Sequence, residues 1–116
     1  MSQTAIKTLP RNMKYMGDSM EIKEFQKLMH ELYFENDKKR GRLGNFVWLV
    51  SEIGELARVL KTEDMDKMKE EVADVFAWLA SLANVLNIDL EEAVKKKYPG
   101  KCPRCKENPC KCEFKL

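Results

Sequence analysis

An all-α fold is the class this sequence predicts: an antiparallel helical hairpin or bundle of about four helices, its core completed by oligomerisation. Three observations predict it. Apolar residues return every three or four positions through most of residues 18–98, the period of a helix and not of a strand. Glycine and proline are sparse, five and four in 116 residues, beside 44% hydrophobic and 34% charged residues; this is the balance of a helical globular chain rather than a disordered or β-rich one. A small domain buries a smaller share of its surface than a large one, and without a disulfide framework it tends to finish its core by self-association, so a homo-oligomer (dimer or tetramer) is expected.

Residues 1–17, with Pro10 and Gly17 and no sustained period, read as a loose leader. Asp18 then caps a first helix, with Glu21 closing a capping box, and the apolar stripe runs Ile22, Phe25, Leu28, Met29, Leu32, Tyr33. From Asp37 to Gly44 the pattern breaks in a charged, glycine-containing stretch, where a loop is expected. A second helix covers residues 45–61, with Asn45 as its cap and Phe46, Leu49, Val50, Ile53, Leu56, Ala57 and Leu60 on its apolar face. Residues 62–66 form a polar turn. The third helix continues to about Asn87 through Met68, Val72, Val75, Phe76, Leu79, Leu82, Ala83 and Leu86, and Asn87 ends it in the left-handed conformation. Asp89 and Glu92 form another capping box, opening a short fourth helix that stops by Pro99 and Gly100. Residues 99–116 are a basic, cysteine-rich tail. Short connections make successive helices antiparallel neighbours.

The net charge of +2 hides an asymmetry. Residues 95–116 hold eight Lys or Arg against two Glu, a balance of +6, which leaves −4 for residues 1–94. A basic tail can touch phosphates, but no aromatic-and-basic recognition pattern accompanies it, so nucleic acid is not the expected partner. No apolar run approaches the roughly 20 residues that cross a bilayer, and no signal-peptide pattern is seen; a cytoplasmic protein with no membrane partner is expected.

Two acidic signatures carry the chemistry: Glu52-x-x-Glu55 in the second helix and Glu71-x-x-Asp74 in the third. Spacing of i, i+3 puts each pair on one helix face. If the helices are antiparallel neighbours, all four carboxylates can enter one inter-helix space, where they repel unless a cation balances them. Oxygen ligands without His or Cys select Mg²⁺ or Mn²⁺. One E-x-x-E in a chain with nineteen acids is ordinarily a solvated face, yet here Ile53 and Leu56 interleave with the first pair and Val72 and Val75 with the second, so both border the packed face. The single histidine, His30, excludes any catalytic arrangement that needs two.

Trp48, four residues before Glu52, and Trp78, four after Asp74, can each stack on a nucleobase, or both can be core or interface tryptophans. Arg40 and Arg42, beside Lys38 and Lys39, are candidate phosphate ligands, since guanidinium groups grip oxygens in pairs; the same residues also read as a solvated charge run. Asn84 is a further candidate polar contact. Cys102, Cys105, Cys110 and Cys112 lie within eleven residues, which satisfies the count of a tetrahedral zinc site of structural type, with a redox-active or free set as the alternative.

The run Trp48-Leu49-Val50-Ser51-Glu52-Ile53-Gly54-Glu55-Leu56, followed by Glu70-Glu71-Val72-Ala73-Asp74-Val75, resembles the MazG-like nucleotide pyrophosphohydrolases, whose pattern is E-x-x-E, a spacer, then E-x-x-D. The likeness extends over roughly residues 20–98, making 18–98 a catalytic domain. It implies Mg²⁺-dependent hydrolysis of (deoxy)nucleoside triphosphates to monophosphate and pyrophosphate, with Glu52, Glu55, Glu71 and Asp74 as metal ligands and catalytic residues, on a helical core often completed by another subunit. Ser51 departs from the pattern, since many relatives carry a further acid there. The reading from another class is a non-catalytic helical binding or regulatory module whose zinc tail contacts nucleic acid.

Overall fold

In the computed structural model, which describes residues 19–113, the regular structure is three helices: α1 (Ile22–Val59), α2 (Met65–Val85) and α3 (Leu90–Lys97), with no strand among the described residues. The leader, the Asp18 cap and the last three residues of the tail lie outside the described residues. The helix start expected at Asp18 is instead set by Glu21, whose backbone N–H donates to Glu24 Oε1 at 3.0 Å.

The expected loop at residues 37–44 does not form. The chain stays helical through Arg40, departs from helical geometry at Gly41 alone (φ 73°, ψ 179°), and resumes at once. Only glycine enters that region of backbone space readily, which is why the break falls there. Asn45, expected to cap a new helix, lies fully buried inside α1 and staples the break: its Nδ2 donates to the carbonyls of Asp37 and Gly41, both at 2.7 Å. Its side chain thus satisfies carbonyls that the missing helical bonds leave open. The helices thus number three among the described residues, α1 being two helical stretches joined at the Gly41 break.

α2 packs antiparallel on α1. Gln26 meets Asn84 near one end, Arg40 and Trp48 both meet Trp78 midway, and Phe25 stacks on Phe76 with ring centroids 5.2 Å apart. Small residues on α2 suit a close approach: Ala80, Ser81 and Ala83 are buried there, as are Met29 and Leu49 on α1. Asp64 caps α2, accepting from Lys67 N at 3.1 Å. Asn87 takes the expected left-handed conformation, and Asp89 caps α3 by accepting from Glu92 N at 3.1 Å. The α2–α3 corner of 99° is held by Gln26, whose Nε2 donates to Asn84 Oδ1 and to Ile88 O while its Oε1 accepts from Leu90 N.

Much apolar surface of the two helices remains open in the single chain. Phe46, Val50, Ile53 and Leu60 on α1, and Met65, Val72, Phe76 and Leu79 on α2, are exposed. No single helix among the described residues is long and apolar enough to cross a membrane.

Candidate metal centre

Glu52 and Glu55 stand one turn apart on α1, and Glu71 and Asp74 one turn apart on α2. The antiparallel packing brings the two turns to the same level. Carboxylate oxygens of Glu52, Glu71 and Asp74 come within 4.8 Å of one another. Glu55 is not gathered with them; it pairs along its own helix with Arg58. The crowding has two visible effects. Burial, and then the charges of Asp74 and Glu71, hold the Glu52 carboxyl above its ordinary range. Glu71 Oε2 is buried with no hydrogen-bond partner. An acceptor cut off from water and facing other acceptors is destabilising by itself. A hard divalent cation supplies what these oxygens lack, so the donor set fits Mg²⁺ or Mn²⁺.

Asp74 also belongs to the wall of an adjoining cavity of about 240 Å³. Met29, Tyr33, Asp37 and Arg40 line it from α1, and Asp74, Ala77, Trp78 and Ser81 from α2. Trp48 and Trp78 stack on each other, centroids 5.5 Å apart, and the Arg40 guanidinium lies 5.1 Å from the Trp78 ring centre. Arg40 and Trp48 reach one indole because α1 bends between them. Of the two tryptophans, only Trp78 lines the cavity.

Arg40 Nη1 also donates to Asp37 Oδ1 at 2.8 Å. Asp37 itself is 1% exposed, and its Oδ2 has no partner. Sequence reasoning missed this residue, although a signal existed: Met29, Tyr33 and Asp37 follow one another in steps of four, which sets an acid on the apolar stripe. Reading residues 37–44 as loop hid that register. Ser81, buried and three residues after Trp78, was missed as well. Arg42 is exposed and does not line the cavity. Asn84 is taken up structurally, since its Nδ2 donates to Gln26 O at 3.2 Å and its Oδ1 accepts from Gln26. His30 is exposed and stacks on Phe34.

The four cysteines converge separately, with their Sγ atoms within 4.8 Å of one another. The backbone N–H groups of Lys111 and Glu107 hold the Cys105 thiol down to about 6, while its thiol neighbours, Cys110 first, push Cys112 up to about 12.

Against known proteins, residues 41–106 match the family model of the MazG nucleotide pyrophosphohydrolase domain. That span holds all four motif acids, Trp48 and Trp78, and stops short of Cys110 and Cys112. No curated protein matches the chain.

Proposed function

The chain belongs to the MazG nucleotide pyrophosphohydrolase domain family, and from that premise we propose that it hydrolyses (deoxy)nucleoside triphosphates to monophosphate and pyrophosphate with Mg²⁺ or Mn²⁺. The observation that carries the reading is the convergence of Glu52, Glu71 and Asp74 beside the cavity, with Glu71 Oε2 left without a partner. These three residues would hold the cation. When bound, it supplies charge neutralisation and Lewis-acid polarisation at phosphate oxygens.

The remaining work falls to side chains. Asp74 lies on both the acid cluster and the cavity wall, so a triphosphate on the cluster directs its nucleoside end into the cavity. Trp78, Met29 and Tyr33 provide apolar and aromatic surface for a base. The Asp37 carboxylate, with one oxygen unpartnered, accepts from an N–H of that base and favours bases that present one. Arg40, anchored by Asp37 and laid over Trp78, offers its remaining N–H groups to the substrate. Glu55 is the motif carboxylate not drawn in among the other three. Released from Arg58, it has oxygens available to accept the proton of the attacking water, one helical turn from Glu52. A second copy of the chain would cover the exposed stripes of α1 and α2.

The test is pyrophosphate release by the full chain across a panel of ribo- and deoxyribonucleoside triphosphates, with Mg²⁺, with Mn²⁺ and with neither. Pyrophosphate, not orthophosphate, is expected from at least one substrate, and only with metal. Inactivity across the panel with both metals would overturn the reading.

A further inference from the structure

We propose that Cys102, Cys105, Cys110 and Cys112 form a closed tetrathiolate zinc site that is chemically separate from the carboxylate cluster and holds the segment after α3 in its fold.

Distance is the first argument. Sγ of Cys102 lies 3.8 Å from that of Cys112, and Sγ of Cys105 lies 3.9 Å from that of Cys110. A zinc ion with four sulfurs at about 2.3 Å places them about 3.8 Å apart in a regular tetrahedron. A disulfide needs about 2.05 Å. Because all four sulfurs share one neighbourhood of 4.8 Å, the arrangement is a single cluster and not two pairs. The backbone is set for thiolates as well: Lys111 N and Cys112 N each point at a cysteine sulfur, Cys105 and Cys110 respectively, at 3.3 Å.

The second argument is that little else organises this segment. From Tyr98 to Glu113 there is no helix or strand, and no residue is fully buried. The turn is held by Cys102 N to Glu107 O at 3.0 Å, Lys106 N to Cys102 O at 2.8 Å and Asn108 Nδ2 to Gly100 O at 2.9 Å. Lys106 sits at φ 66°, a conformation that a lysine keeps only where its surroundings impose it. A short stretch without an apolar core needs a covalent or metal staple to keep such a shape.

Charge and metal preference complete the case. Four thiolates around Zn²⁺ carry a formal charge of −2, and Lys101, Arg104, Lys106 and Lys111 are interleaved with the cysteines to offset it. Soft sulfur takes zinc while carboxylates take Mg²⁺, so two ions are sorted within one small chain. With all four positions filled by protein, no place is left for a substrate, and the role is structural.

The test is metal analysis of the full chain, purified under reducing conditions with zinc supplied. About one zinc per chain is expected, retained in excess Mg²⁺, with all four thiols shielded from a thiol reagent until a strong chelator is added. Replacement by Co²⁺ should give the visible absorption of a tetrahedral tetrathiolate centre. Cys105→Ser together with Cys112→Ser should remove the zinc while leaving the helical signal of residues 22–97. Zinc far below one per chain, thiols that react at once, or oxidation of the cysteines in pairs with no metal bound would each overturn the proposal. So would full zinc retention by the double variant, which would place the ion elsewhere. Cobalt absorption keeps the test decisive if the variant misfolds, and none of these readouts depends on triphosphate hydrolysis.

Discussion

Glu71 sits beside Glu52 and Asp74 with a buried oxygen that has no hydrogen-bond partner, and the charges of Asp74 and Glu71 add to burial in disfavouring the Glu52 carboxylate. Glu52→Gln, Glu71→Gln and Asp74→Asn should therefore each lower turnover by more than about tenfold and raise the Mg²⁺ needed for half-activity, since an amide keeps the shape but not the charge. The same changes should raise the metal-free melting temperature by relieving repulsion. Glu55→Gln should behave differently: a comparable loss of kcat with Mg²⁺ half-saturation nearly unchanged, because its carboxylate stands outside the gathered three. Equal shifts in metal requirement for all four variants would assign Glu55 as a fourth ligand. Glu63→Gln, outside the motifs, serves as the control and should alter neither. At this scale the sequence pairs Glu52 with Glu55 and Glu71 with Asp74 and sets Trp78 one turn beyond Asp74, and the structure gathers three of those four carboxylates. Asp37 was not legible, because a charged residue among Lys38, Lys39 and Arg40 looks solvated until the helix through it is known.

The bend in α1 is the element on which the geometry of the cavity depends. Gly41 has open space around it, so Gly41→Ala meets no steric obstacle; its cost is the backbone conformation, about 1–3 kcal/mol. Asn45→Ala strands the carbonyls of Asp37 and Gly41 and should cost about 1–3 kcal/mol as well. Chemical denaturation measures both, and KM for the triphosphate should rise in each folded variant because Arg40 and Trp48 no longer meet on Trp78. A loss of stability without any change in KM would separate the bend from substrate binding. The loop expected over residues 37–44 and the Asn45 cap share one cause: glycine and asparagine commonly border helices, and only the bonds from the buried Asn45 side chain to Asp37 and Gly41 show that here they bridge one. At α3 the cap was legible, and it makes a pH prediction. The Glu92 backbone N–H, with help from Lys23, holds the Asp89 carboxyl below its ordinary value of 3.8. A depressed folded pKa gives stability that is present above pH 3.8 and lost as pH falls through the folded value. Asp89→Ala should thus melt earlier than the parent at neutral pH, and the two curves should converge in acid.

Over the whole molecule the single chain is extended. Its radius of gyration is 17.1 Å, against about 13 Å for a compact domain of about 100 residues. Phe46, Val50, Ile53 and Leu60 recur in steps of four, three and seven on one face of α1, each about half exposed or more, a spacing that suits packing against further helices. Sedimentation of the full chain should give a dimer or tetramer, and Phe46→Asp with Val50→Asp should shift it to monomer with a lower melting temperature. A monomeric parent at micromolar concentration would refute this. The sequence predicts self-association from the small size of the domain and its lack of a disulfide framework, whereas which stripes stay open needed the packing of α1 on α2. The break at Gly41 has a consequence of another kind. The family match begins at that same residue, so the shared segment carries the motif acids and the α2 wall of the cavity, while its α1 wall of Met29, Tyr33, Asp37 and Arg40 lies upstream. On the proposed reading, part of the choice of base then rests on residues that precede the acids in the chain. Grafting residues 22–40 from a relative of different preference should transplant the choice of base and leave the cleavage reaction in place.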